Sequence, residues 1–268
     1  MNPEPHVLPL FPERFMEPPF HLLESLRLLK DRFGATCLKL STEDAGMNHE
    51  QIRFWTRLSE GVLPVMVKIG GPNARNDIKQ VLSMDVEGLI APMVESPYGL
   101  ENFLAAIRNF TTPGQMGRIK IQINIETVTA VEQLDAILAS PEAKFLHEIT
   151  IGCSDLSQSL KKPRMDRAVR ALVKRAVKKI KSRNIAVSVG GGIAPNTIDD
   201  ILEDIQPHQF NTRVVTFGVI PGKSYYAAVE ETLRFELKML NNDLERGFIH
   251  REEERSRAQE LRKRLVHV

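Results

Sequence analysis

The sequence is poor in cysteine, in long hydrophobic runs and in net charge. Its two cysteines, Cys37 and Cys153, are too few for a disulfide framework or a cysteine-based zinc site. Both lie in apolar, strand-like segments, which favours small reduced core residues in a cytoplasmic protein. No apolar run approaches the roughly 18 residues of a transmembrane helix, and no basic segment followed by an apolar one at the N-terminus predicts a secretory signal.

The net charge of +2 gives no general reason to expect a nucleic-acid or membrane partner. One stretch, residues 161–183, is strongly basic and suggests either a nucleic-acid patch or the solvated face of a helix. Val169, Val173 and Ile180 form an apolar stripe at helical spacing in that stretch, so the second interpretation is favoured.

The chain divides into three predicted parts. Six prolines among the first 19 residues predict an extended arm over residues 1–20, because proline locks φ and lacks the N–H. Over 21–222, helical patterns alternate with short apolar runs that read as buried parallel strands. The predicted strands are 36–40, 64–69, 88–93, 119–125, 148–152, 185–189 and 213–217. Residues 223–268 read as a polar helical segment.

This alternation predicts a single TIM-type (β/α)8 barrel with an N-terminal arm and a C-terminal interaction helix. Only seven strands are convincing, and the arm is the expected source of the eighth. A doubly wound open sheet is the alternative fold, but the glycine-rich nucleotide-binding turn is missing after the first strand.

Charged residues follow the predicted strands, at the end where the active sites of such barrels lie. These residues are Glu43, Asp44, Lys68, Glu95, Glu126 and Asp155. Carboxylates from neighbouring strands suit Mg²⁺, which takes one or two protein carboxylates and completes its shell with other oxygens. Each acid could instead cap the helix that follows it.

Five segments carry a resemblance to a known family. They are VMVKIGG (65–71), GLIAPMVES (88–96), INIETVTAVEQLDAI (123–137), ITIGCSDLSQSL (149–160) and FNTRVVTF (210–217). Together they resemble the HpcH/HpaI aldolase/citrate lyase family of phosphoenolpyruvate- and pyruvate-utilising barrels. The resemblance implies a lyase or aldolase that acts on a 2-keto acid or a related acyl substrate.

The resemblance also implies a cofactor and roles for individual residues. The family's ligands for Mg²⁺ or Mn²⁺ fall on Glu126 and Asp155. Lys68 stands where the family has an arginine, so it is expected to bind substrate oxygen and stabilise enolate charge. Other candidates come from their place after the predicted strands and not from the resemblance: Gly70, Glu95 and Gly191 are expected in the substrate site, and Glu43 and Asp44 in catalysis, with the acid and base roles open.

Departures from the family pattern leave other functions open. Asp44 occupies the position of a base histidine, Cys153 that of an arginine, and Asn211 that of an acid in the FETR motif. A catalytically altered barrel that serves as a binding or scaffold subunit is one alternative. Gly190, Gly191 and Gly192 suggest another, a metal-free phosphate-binding barrel, although a tight turn also explains them.

The C-terminal residues 245–268 carry only a thin apolar seam among mixed charges. A helix of this kind is poorly stable alone. We therefore expect it to dock on a neighbouring subunit and to form a homo-oligomer.

Overall fold

The computed structural model describes residues 19–164 and 166–266. Residues 1–18, which make up nearly all of the predicted N-terminal arm, lie outside the described residues. No helix in the described ranges is long and apolar enough to cross a membrane.

Eight strands close into a barrel in sequence order, which confirms the predicted TIM-type α/β fold. The strands are β1 (Ala35–Ser41), β2 (Val65–Lys68), β3 (Gly88–Ala91), β4 (Lys120–Ile125), β5 (Glu148–Gly152), β6 (Ala186–Gly190), β7 (Gln209–Asn211) and β8 (Val215–Gly218). Strands β2, β3 and β5 are buried along their whole length, as expected of strands between a barrel core and a helix layer.

Helices cover the outside of the barrel. They are α1 (Phe20–Asp31), α2 (His49–Ser59), α3 (Arg75–Val81), α4 (Pro97–Asn109), α5 (Pro113–Met116), α6 (Val128–Glu132), α7 (Leu134–Ala139), α8 (Cys153–Ser159), α9 (Arg167–Lys181), α10 (Pro195–Ile205), α11 (Tyr226–Glu245) and α12 (Arg251–Val266). The basic stretch forms α9, which buries Val169, Val173 and Ile180 as predicted.

Two features of the barrel differ from the prediction: the source of the missing strand and the direction of the last strand. The missing strand does not have to come from the N-terminal arm, because the described chain already supplies β7 just before the predicted strand 213–217. Strands β1 to β7 run parallel, whereas β8 is antiparallel to both β7 and β1. Only residues 212–214 separate β7 from β8, and so short a connection permits a hairpin but no parallel crossover. Phe217 therefore lies toward the opposite end of the barrel from the other predicted strand ends.

Inside the barrel, polar side chains from four neighbouring strands form a hydrogen-bonded network. The hydroxyls of Thr150 and Ser188 lie 2.8 Å apart, and Asn211 Nδ2 donates to Ser188 Oγ at 2.8 Å. Thr216 Oγ1 donates to Asn211 Oδ1 at 2.6 Å. Asn211, which replaces an acid of the family motif, therefore has a structural role. On the other side, Cys37, Met66 and Ile90 form a small apolar cluster.

The C-terminal helix packs on its own chain. Ala258 and Leu261 of α12 are buried together with Ile249, and α12 lies against α11. The apolar seam on which the expectation of a subunit contact was based is thus covered by α11. Assembly through this segment stays a prediction.

Candidate active site

A cavity of about 370 Å³ lies at the end of the barrel where the parallel strands β1 to β7 finish. Its charged lining residues are the acids Glu43, Asp44, Glu126 and Asp155 and the bases Lys39, Lys68, Arg213 and Arg264. Polar residues, the three consecutive glycines, Gly152 and Ile193 complete the lining. Five predicted site residues from β1, β2, β4 and β5 thus meet in one cavity, because the carboxyl ends of parallel strands share one end of a barrel.

Glu126 is positioned by the end of β4. Its side chain is buried, and its Oε1 accepts a hydrogen bond from the Met93 backbone N–H at 2.9 Å. Met93 adopts a left-handed conformation (φ 53°) after β3. Asn124 Nδ2 donates to Glu126 Oε2 at 3.2 Å. Burial raises the pKa of Glu126, the charge of Lys68 opposes that rise, and Asp155 adds to it.

Asp155 follows the next strand, in the first turn of α8. The predicted strand 148–152 ends just before Asp155, and the short helix after it was not predicted because its seven residues are too few for a clear period. The side chain is partly buried and lines the cavity with Glu126. Two carboxylates from successive strands therefore face one space.

These residues fit a hard divalent cation. No group of three or more His, Cys, Asp or Glu side chains with metal-binding geometry occurs within residues 19–164 and 166–266. Mg²⁺ needs only one or two carboxylates, since water and substrate supply its other oxygens. Asn124 Oδ1 lies buried in the same lining without a hydrogen-bond partner among the described residues. Gly152 leaves room for Glu126, because a Cβ there would lie 2.6 Å from Glu126 Oε2.

Lys68 is held by acids from the loop after β1. Its Nζ lies 2.6 Å from Glu43 Oε2 and 3.9 Å from Asp44 Oδ1. Burial alone lowers the pKa of Lys68, but Asp44, Glu43 and Glu126 outweigh that effect and raise it above its ordinary value. Lys68 is therefore a fixed cation at the edge of the cavity.

Asp44 is a poor candidate for a base. Burial raises its pKa, but the charges of Lys68 and Arg213, with a hydrogen bond from Ser41, lower it below its ordinary value. Arg213 Nε lies 3.6 Å from Asp44 Oδ2, and its Nη2 donates to the Asp44 carbonyl at 2.7 Å. A carboxylate that two cations stabilise has little tendency to take up a proton.

Two of the predicted substrate residues lie elsewhere. The Gly70 N–H donates to Asp77 Oδ2 at 2.9 Å, and Glu95 accepts a hydrogen bond from the Thr127 hydroxyl. Neither residue lines the cavity, so we correct the expectation that they share it with Lys68.

Gly191 lines the cavity as predicted, but local geometry explains the triple glycine. Gly191 and Gly192 have φ values of +89° and +69°, which favour glycine. A Cβ on Gly191 would lie 2.6 Å from the Ser154 backbone nitrogen, and one on Gly192 would lie 2.2 Å from Arg164 Cδ. The turn and its close packing account for these residues without a phosphate.

The two cysteines behave as the sequence predicts. Both are buried and free, and burial raises the pKa of each thiol to about 12. Cys153, although two residues from Asp155, is therefore a packing residue and not a reactive thiol.

Three charged residues of the lining were not predicted from the sequence: Lys39, Arg213 and Arg264. Lys39 alternates with Leu38 and Leu40, which join the outer core, and this alternation was the available signal for an inward-pointing charge. Arg213 lies in the β7–β8 turn, within the FNTR motif. Arg264 comes from α12 and donates to the Ile193 carbonyl, a contact without any local sequence signal.

Comparisons with known proteins place this site in a family. Residues 50–194, more than half of the chain, match the sequence model of the HpcH/HpaI aldolase/citrate lyase family. That range includes Lys68, Glu126 and Asp155. A search of curated proteins finds no match for this chain.

Solved structures show the same fold at low sequence identity. A family protein from Burkholderia cenocepacia J2315 is 15% identical with a TM-score of 0.58, over 71% of this chain and 83% of that one. Citrate synthase SbnG is 20% identical with a TM-score of 0.58, over 81% and 89%. A citrate lyase from Burkholderia xenovorans LB400 is 14% identical with a TM-score of 0.56, over 92% and 87%. The chain belongs to the HpcH/HpaI aldolase/citrate lyase family.

Proposed function

We propose that the protein is a divalent-metal-dependent carbon–carbon lyase or aldolase that acts on a 2-keto acid or a related acyl substrate through an enolate. Membership of the family supports an enzyme of the aldolase and lyase type. The observation that carries the metal dependence is the pair Glu126 and Asp155 in one cavity beside the cation Lys68.

Glu126 and Asp155 would hold Mg²⁺ or Mn²⁺. When bound, such a cation supplies Lewis-acid stabilisation of negative charge on a carbonyl oxygen, a contribution of about several kcal/mol. The Met93 N–H and the Asn124 amide orient Glu126, so that its carboxylate is fixed before a ligand arrives. The Glu126 side chain, held in this way, lines the cavity.

Lys68 would bind a substrate oxygen and offset charge on the enolate. The surrounding acids keep it protonated, and its position is fixed by Glu43. A lysine ammonium is a compact charge with three donors, whereas the family's arginine is a planar fork. A substrate carboxylate at this position would therefore contact a single ammonium group and not the two parallel N–H donors of a guanidinium group.

Isothermal titration with Mg²⁺ and oxalate, a mimic of the pyruvate enolate, tests this proposal. We expect Mg²⁺ and oxalate to bind cooperatively to the wild type and not to the Glu126→Gln or Asp155→Asn variants. Glu95→Gln is the matched control, because Glu95 follows a neighbouring strand but does not line the cavity. Unchanged binding in both ligand variants would contradict the proposal.

Three further expectations belong to the same proposal. The partner is a small-molecule keto acid or acyl substrate and not a nucleic acid or a membrane. The compartment is the cytoplasm, and the protein is a homo-oligomer. Light scattering of the full chain and of a chain that ends at Asp243 tests the oligomer, since an unchanged mass would exclude assembly through α12.

A further inference from the structure

Lys39 lies on β1, in the interior of the barrel, and lines the same cavity as Glu126 and Asp155. Its strand neighbours Leu38 and Leu40 join the outer core, whereas Cys37, two residues earlier, joins the small cluster inside the barrel. Alternation along the strand therefore directs Lys39 inward, between that cluster and the open end of the barrel.

The Lys39 amine makes no hydrogen bond and no ion pair with any residue that the structure describes. Lys68, on the adjacent strand, has Glu43 at 2.6 Å. Burial lowers the pKa of Lys39, Asp44 opposes that effect, and the like charge of Lys68 adds to it. An inward-pointing lysine whose pKa is lowered and whose amine has no described acidic partner within bonding distance releases its proton more readily than an ordinary lysine, and it is suited to act as a base.

The other acids and bases of the cavity are already engaged. Glu43 and Asp44 are paired with Lys68, and Asp44 also faces Arg213. Glu126 and Asp155 are assigned to the cation. An aldolase or lyase nevertheless needs a group that moves a proton at the carbon next to the carbonyl.

We propose that Lys39 is that group, and the proposal rests on the function proposed above. In the direction of enolate formation, the C–H bond at carbon 3 of a 2-keto acid breaks and its electron pair becomes the enolate double bond. The keto oxygen takes the negative charge, and the proton passes to Lys39 Nζ, which becomes an ammonium group. In the reverse direction the ammonium returns that proton to carbon 3.

Exchange of the pyruvate methyl protons with deuterium, followed by ¹H NMR in D₂O with Mg²⁺, measures this step directly. We expect the wild type to catalyse exchange and the Lys39→Met variant to be slower by about 100-fold or more, the usual contribution of a general base. Lys39→Arg places a permanent cation at this position, which cannot accept the proton from carbon 3, so it should be equally slow.

Lys120→Met is the matched control. Lys120 is also a barrel-strand lysine, but it is exposed at the opposite end of β4 and is paired with Glu87 at 2.9 Å. The Lys120→Met variant should catalyse exchange of the pyruvate methyl protons at the wild-type rate. Melting temperatures establish that all three variants are folded at the assay temperature.

Oxalate titration in the presence of Mg²⁺ separates this inference from the proposed function. We expect both Lys39 variants to bind oxalate as the wild type does. Wild-type exchange rates in Lys39→Met or Lys39→Arg would overturn the assignment, and so would loss of oxalate binding in Lys39→Met, since the amine would then hold the ligand. A wild type that binds Mg²⁺ and oxalate without exchange would also overturn it, whereas a wild type that binds neither would contradict the metal site itself.

Discussion

Buried acids occur in two regions of the chain, the barrel cavity and the helix layer, and the two groups are equally buried. In the barrel cavity, Glu126 is buried beside Asp155, and burial raises its pKa. In the helix layer, α11 carries Asp243 and Glu236, both buried and both with a raised pKa.

The surroundings of these acids differ. Asp243 accepts hydrogen bonds from Gln51 at 2.7 Å, from Trp55 at 2.9 Å and from Asn242 at 3.2 Å. Glu236 faces arginines from the β7–β8 turn and from α12. Neither acid lines the cavity, whereas Glu126 keeps an open side toward it. Burial with a raised pKa therefore does not identify a functional acid, and the open space with a second carboxylate does.

The largest effect on stability should follow loss of the Glu236 carboxylate. Its buried side chain interacts with Arg213, Arg257 and Arg264, and Arg213 Nε lies 3.8 Å from its Oε1. The Glu236→Ala variant removes a buried carboxylate that faces all three cations, so we expect a loss of about 3–5 kcal/mol in the free energy of unfolding. Urea denaturation measures it. Glu230→Ala, on the same helix in an exposed pair with Arg234, should cost only about 0.5 kcal/mol. Equal losses of unfolding free energy in Glu236→Ala and Glu230→Ala would contradict this prediction.

A methyl group at Gly152 should damage the cavity region. The added Cβ would lie 2.7 Å from the Glu126 Cβ, so either the strand or the carboxylate must move. We expect the Gly152→Ala variant to lose about 1–3 kcal/mol and its Mg²⁺-dependent thermal shift. Gly114→Ala is the control, since its Cβ would meet no described atom within 4 Å. A normal Mg²⁺ shift together with unchanged stability in Gly152→Ala would contradict the close packing of Glu126 against Gly152.

Asp243 should make stability depend on pH. Burial, opposed by its three hydrogen bonds, raises its pKa from the ordinary 3.8 to about 6. The folded protein thus holds this proton more tightly than the unfolded chain does. The resulting stabilisation is complete below about pH 4 and is lost as the pH rises through about 6. Relative to the Asp243→Asn variant, the wild type should lose about 1–3 kcal/mol between about pH 4 and pH 8 in urea titrations. If the difference in unfolding free energy between the wild type and Asp243→Asn stays constant across this pH range, the raised pKa of Asp243 is contradicted.

The smallest effect should come from Glu43. Its side chain is 34% exposed, and solvent screens its pair with Lys68. The Glu43→Gln variant should lose at most about 1 kcal/mol and keep its affinity for Mg²⁺. A loss comparable to that of Glu236→Ala would mean that the edge of the cavity is as tightly coupled as the helix layer.

Sequence periodicity predicted the parts of this protein that depend on local pattern. Buried parallel strands are short apolar runs, and the residues after them share one end of the barrel, which located Lys68, Glu126 and Asp155 together. It could not predict the direction of β8, because that depends on a three-residue strand, β7, too short to recognise.

Long-range contacts were equally out of reach. Arg264 meets Ile193 across 71 positions, and Glu236 meets Arg213 from a separate helix. Lys39 was recognisable in principle, because a charge at an inward position of an apolar strand is unusual. Reading each strand face separately would have identified it.

The antiparallel direction of β8 determines where the C-terminal helices α11 and α12 lie. The strand β8 ends at the end of the barrel away from the cavity, so α11 begins there. The helix α11 runs back along the barrel, and α12 therefore lies beside the cavity. A fluorophore on a cysteine introduced at the exposed Arg262 would consequently sit near the opening and report ligand arrival as a change in emission. The same dye on α3, at Lys79, would serve as the silent reference.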